Sequence, residues 1–334
     1  MPSAPSAKLV RAAHAQYAAV AQRAAREAPA ESGTPAWVLA LCGLLAVVVA
    51  IAWGFVPISS KYLMEAGFGP WALLVLRAVI AYGVMVLIAP MRLYAGLRTE
   101  VLAMLLGAAL LPAGWGLQNV ALVDGTVSDV AISAAVAPIF AGMIASALLR
   151  TALHWLLTLG AVTVIAGLLL TFFDTGVMQG SSLIPIGWGL LAAIGLALYS
   201  LLLRACGDVS AALLMRKVLG WGLIASLPFY FAESAASPTD GELLARPDVI
   251  ANLIFLAAAA AGTFFWHSIT LRIGTRAAGP ISHLAPAAAV AASIALFDDP
   301  ISYVGIMGGA MVLCGAVCAH TGLLKLAAIA ARRF

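Results

Sequence analysis

Charge is scarce in this chain. Its 334 residues include 18 Lys or Arg and 14 Asp or Glu, a charged fraction of 10%, against about 25% in an ordinary soluble domain. A solvated globule and a polar disordered chain are both excluded. With 63% hydrophobic residues and a mean hydropathy of +1.06, lipid has to be the solvent for most of the surface. Cysteine is rare too. Cys42, Cys314 and Cys318 lie inside apolar runs and Cys206 stands beside Arg204, so no disulfide framework is expected. Cys314 and Cys318 share a helix face, but nothing completes a tetrahedral ligand set, and neither metal nor cofactor is expected. A Gly-rich phosphate loop ending in Lys-Ser/Thr, an HExxH pair and a nucleophile arrangement are also missing. No catalytic residue is assigned, and any transport must be secondary because no nucleotide-binding domain is present. The net charge of +4 is spread through short gaps, which argues against a nucleic-acid partner.

What the chain has is apolar runs. Cutting at charged or Gly/Pro-rich gaps gives ten runs of spanning length: 37–59, 70–90, 101–122, 127–149, 153–172, 184–203, 211–231, 251–271, 277–297 and 303–323. The expected fold is all-α, a polytopic membrane protein with ten transmembrane helices and no soluble domain. Alternate gaps divide the basic residues unevenly. With the N-terminus inside, the outer side receives Lys61 and Arg246, Arg77 falls within a helix, and all the others face inward. Both termini should therefore be cytoplasmic, and the setting is the plasma membrane, the inner membrane in a bacterium. Residues 1–36 and 324–334 are basic tails flanking two halves, 37–173 and 184–323. The stretch from Ala7 to Ala28 is either an interfacial amphipathic helix or a cytoplasmic tail without structure.

The halves repeat. Gly125 to Pro138, GTVSDVAISAAVAP, matches Gly274 to Pro286, GTRAAGPISHLAP. Five helices per half is an odd number, so the second copy enters the membrane inverted, the arrangement from which alternating access is commonly built. Pro138 and Pro286 each fall near mid-helix and each removes a backbone hydrogen bond. They are either gating bends or packing kinks.

These features, with AWGFVPISSKYL at Ala52 to Leu63, LLVLRAVIA around Arg77 and the Ala-Pro steps before Ile139 and Ala287, resemble the EamA-type branch of the drug/metabolite transporter superfamily over about residues 37–323. Asp298-Asp299-Pro300 stands where the family commonly has Glu-Pro. The resemblance implies a carrier of amino acids, nucleotide-linked sugars or other small metabolites, often an exporter.

Several polar or aromatic residues inside the spans are candidates for substrate binding or gating. Arg77 is a carboxylate clamp or an interhelical tie to Asp124, Asp129 or backbone carbonyls. His283 is the most deeply placed titratable group, either a proton-coupling residue or a neutral donor to a carbonyl freed by Pro286. Gln118 and Asn119 align with His267 and Ser268 when counted back from the shared Gly-Thr; they line half-channels or form interhelical bonds. Trp115 and Trp221 fall near mid-helix, where an indole N–H wants a partner, and line a pocket or fill the core. Gly305 and Gly309 have the GxxxG spacing of a helix contact, within a monomer or across a homodimer. The expectation is efflux of an amino acid or similar small molecule by alternating access, with the proton as candidate coupling ion. A polytopic lipid enzyme and a membrane assembly or sensor protein are the rival readings.

Overall fold

The computed structural model describes residues 35–89, 96–149, 152–174, 183–203, 206, 209–236, 241–273, 275–297 and 302–333. The Ala7–Ala28 stretch and Asp298-Asp299-Pro300 lie outside them. All regular elements among the described residues are helical. They are α1 (Ala36–Gly54), α2 (Val56–Glu65), α3 (Pro70–Ile88), α4 (Leu97–Leu110), a π-helical turn (Leu111–Gly116), α5 (Leu117–Asp124), α6 (Val127–Ala134), α7 (Ala137–Leu149), α8 (Trp155–Asp174), α9 (Ile184–Leu203), α10 (Ala211–Ala236), a 3₁₀ turn (Gly241–Ala245), α11 (Pro247–Ile273), α12 (Thr275–Ser282), α13 (Leu284–Phe297) and α14 (Tyr303–Arg333). Among the described residues nine helical segments are long and apolar enough to cross a membrane. The shorter apolar stretch Trp155–Thr171 of α8 covers the fifth expected run. α14 continues to Arg333, so residues 324–333 extend the last helix.

The burial pattern is that of helices in lipid. On α3, Leu74, Ala78, Ala81 and Met85 face inward at helical spacing, while Val79, Ile80, Val84, Leu87 and Ile88 are exposed. No hydrophobic effect drives helices together inside a bilayer, so close packing has to do it. α8 and α14 meet through paired glycines: a Cβ on Gly160 would lie 2.5 Å from the Gly315 carbonyl oxygen, and one on Gly167 would lie 2.5 Å from that of Gly308. The contact uses Gly308 and Gly315, one heptad apart, whereas Gly309 faces Ile132 on α6.

Four of the spans are interrupted. α1 and α2 break at Phe55 before Pro57, α6 and α7 at Ala135-Val136 before Pro138, and α12 and α13 at His283 before Pro286; the π turn carries Pro112. Each proline lacks the N–H that would continue the ladder. By contrast α2 ends in a Schellman turn. Gly67 takes φ 116°, the Phe68 N–H reaches the Leu63 carbonyl at 3.1 Å and the Gly67 N–H that of Met64 at 3.0 Å.

Candidate functional site

The interruptions converge on one cavity of about 1140 Å³. Gly54 and Pro57, Trp115, Ala135 and Pro138, and His283 and Pro286 all line it. Non-helical backbone at membrane depth is tolerated where it borders a cavity or protein, and these breaks meet that condition. Gly54 lets the walls close up, since a Cβ there would lie 2.6 Å from the Ala285 carbonyl oxygen on α13.

One end of the cavity reaches the first turn of α4 at Arg98 and Thr99, the last turn of α9 at Leu203, and Cys206 and Val209 beyond it. Burial pushes the Cys206 thiol up to about 11. The other end stops at Arg77, Gln118 and Val130. Past that floor, polar ties join the helix ends. The Tyr62 hydroxyl donates to Asp248 at 2.5 Å, and Arg246 pairs with the same carboxylate at 2.7 Å. The Lys61 ammonium donates to the Leu122 and Gly125 carbonyls at 2.9 and 3.3 Å, where α5 ends and a cation suits the helix dipole. The Glu233 carboxylate accepts from the first N–H groups of α3, Trp71 and Ala72.

Arg77 forms the floor. It is 2% exposed, its guanidinium carbon lies 4.6 Å from the Trp115 ring centroid, and its Nε and Nη2 have no hydrogen-bond partner. Asp129, considered above as its partner, instead closes a capping box with Thr126. Higher up, Trp53 and Trp266 sit with ring centroids 5.1 Å apart, and the Trp53 indole donates to the Ala259 carbonyl at 2.9 Å.

Of the residues singled out in the sequence, Arg77, Trp115, Gln118, Pro138, His267, His283 and Pro286 line the cavity. Asn119 and Trp221 do not. The Asn119 amide is spent on the Pro70 carbonyl at 3.0 Å, and the Trp221 indole donates to Glu100 at 3.0 Å, beside the Lys217–Glu100 ion pair that ties α10 to α4. The two aligned polar pairs thus divide alike, because Ser268 bonds its own helix at Phe264 and leaves His267 to the cavity. Sequence reasoning missed His320 on α14. Its ring stands edge-on to His283, with centroids 6.1 Å apart, and the signal available was its place within a helix otherwise apolar around it.

A second correspondence emerges once α3 and α10 are compared. Ala72–Gly83 aligns without a gap to Ala211–Gly222, setting Arg77 against Arg216, Val79 against Val218 and Tyr82 against Trp221. Both arginines are buried, at 2% and 9% exposure. Trp53-Gly54 likewise corresponds to Trp188-Gly189, and a Cβ on Gly189 would lie 2.7 Å from that of Ser133, one helix turn before the α6–α7 break.

Comparison with known proteins identifies the first half. Residues 40–173 match the EamA-like transporter family. The match covers less than half of the chain, and together with the nine described segments long and apolar enough to cross a membrane it points to an integral membrane protein. No curated protein matches the chain in sequence. Solved structures do match. One crystal structure of a protein superposes with a TM-score of 0.57 over 83% of this chain and 97% of its own, at 15% identity, a likeness of fold alone.

Proposed function

We propose that the protein is a secondary carrier that moves a small carboxylate-bearing metabolite out of the cell by alternating access. The observation carrying this reading is Arg77, a buried guanidinium on the floor of a large cavity with two donors unused. A charge in that state is costly in a membrane protein unless a ligand completes it.

Two inverted five-helix repeats supply the motion. The packing supports them, because contacts exchange when the halves are swapped. α1 on α13 mirrors α9 on α7, α4 on α10 mirrors α11 on α3, and α4 on α9 mirrors α11 on α1, while α3 on α10 and α8 on α14 map onto themselves. Pro138 and Pro286 are the matching bends, with Gln118, His267, His283 and the tryptophans lining the path. With the orientation expected from the basic residues, the Tyr62, Lys61 and Glu233 ties seal the outer face and the cavity opens inward, so substrate loads from the cytoplasm. His283, facing His320, is the proton-coupling group.

Counterflow in proteoliposomes tests the reading: vesicles preloaded with unlabelled amino acids or carboxylates should transiently accumulate labelled substrate. Exchange that is absent for every carboxylate, or turnover without transport, sinks it. Reporter fusions at Phe334 and after Glu242 should report cytoplasmic and outer locations respectively, and an outer signal at Phe334 rejects the orientation.

A further inference from the structure

Cations and imidazoles line the cavity, and among the described residues no carboxylate does. We propose that the preferred substrates are organic anions with an aromatic or apolar body whose carboxylate has no accompanying ammonium group; this rests on the carrier reading above.

The anion end rests on Arg77. Nε and Nη2 lie along one edge of a guanidinium, the edge that grips a carboxylate side-on through two parallel bonds, and these are the two Arg77 nitrogens without partners. Trp115 covers the Arg77 guanidinium, so the ion is shielded from water and the pairing gains from the low local dielectric.

The ammonium end is not built. Among the described residues lining the cavity there is no Asp or Glu, whereas Arg98 adds a second cation and His267, His283 and His320 add imidazoles. Carboxylates on the wall helices are committed elsewhere: Asp129 to the capping box with Thr126, and Glu100 to Lys217 and Trp221. An ammonium carried in would lose its water and meet neutral polar groups such as Gln118 and Ser200, with a guanidinium close by and no carboxylate among the described lining residues. Burying a charge without a counter-ion is strongly unfavourable. The body of the substrate has Trp53, Trp266 and Tyr199 to lie against.

Three ligands of one skeleton isolate the two ends: L-phenylalanine has both charges, 3-phenylpropanoate only the carboxylate, and phenethylamine only the ammonium. Binding to the full-length protein in nanodiscs, read by calorimetry, should rank 3-phenylpropanoate at least about tenfold tighter than phenylalanine, with phenethylamine weakest. Arg77→Gln should erase the ranking; should that variant fail to fold, the order on the native protein decides alone. Phenylalanine binding as tightly as the acid, phenethylamine binding as tightly as either, or no binding by any of the three overturns the proposal. Counterflow of the same ligands separates the two claims. Phenylalanine exchange without preference keeps the carrier and removes the anion rule, and the expected binding order without any exchange keeps the anion site and removes the carrier.

Discussion

Arg77 and Arg216 occupy the same position in two matching helices, yet they live in different surroundings. Arg77 stands on a cavity floor under Trp115 with Nε and Nη2 unused. Arg216 lies outside the cavity lining, has interaction partners, and precedes Lys217, which holds Glu100. The proline breaks differ similarly. Ala135 and Val136 fill the first with apolar side chains that are 4% and 5% exposed, whereas the second places His283 against the cavity. A shared backbone plan therefore carries different chemistry in each half: both halves bend, but the first brings the guanidinium of Arg77 to the cavity and the second the imidazoles of His267, His283 and His320.

The largest expected effect separates the arginines. Arg77→Gln should lower transport on the order of tenfold to hundredfold, the value of a charged hydrogen bond, while folded yield holds because no protein partner of Nε or Nη2 is orphaned. Arg216→Gln should instead lower folded yield and melting temperature. Equal loss of folded protein in both would make Arg77 a structural tie and end the distinction.

The glycines come next. Gly54→Ala drives a methyl against the Ala285 carbonyl and Gly189→Ala drives one against the Ser133 side chain. Backbone yields less readily than a serine, so Gly54→Ala should cost about 1 to 3 kcal/mol and Gly189→Ala less. Thermal unfolding of the purified variants measures the order, and a reversed order breaks the comparison.

Restoring a backbone bond with Pro138→Ala or Pro286→Ala should slow exchange between inward- and outward-open states more than it lowers yield. If both variants exchange at the parental rate, the breaks are packing features. The smallest effect is expected at His283. His283→Gln should flatten the pH dependence of net transport near neutrality and leave counterflow intact, since substrate-for-substrate exchange moves no net proton. A profile unchanged from the parent assigns coupling elsewhere.

Much of the site was legible because polar residues inside apolar runs are rare enough to stand out. Arg77, Gln118, His267 and His283 were visible that way, and the shared Gly-Thr to Ala-Pro segment located both bends. Asn119 and Trp221 carried the same signal and went elsewhere, because a buried amide or indole N–H is satisfied equally by a carbonyl or carboxylate on a neighbouring helix, such as Pro70 or Glu100, as by a ligand. His320 was passed over since nothing in its own helix shows which helix it faces.

By itself the sequence determined that this chain lives in lipid, where its apolar runs fall and which segments repeat, because composition and proline position act locally on hydration and on the helix ladder. Only the tertiary structure decided which polar groups are consumed by neighbours and which remain to face a cavity. Whether Arg77 Nε and Nη2 find a partner depends on distances across α3, the π turn, α6 and α11, and those follow from how closely glycines such as Gly54, Gly160 and Gly308 let the helices approach.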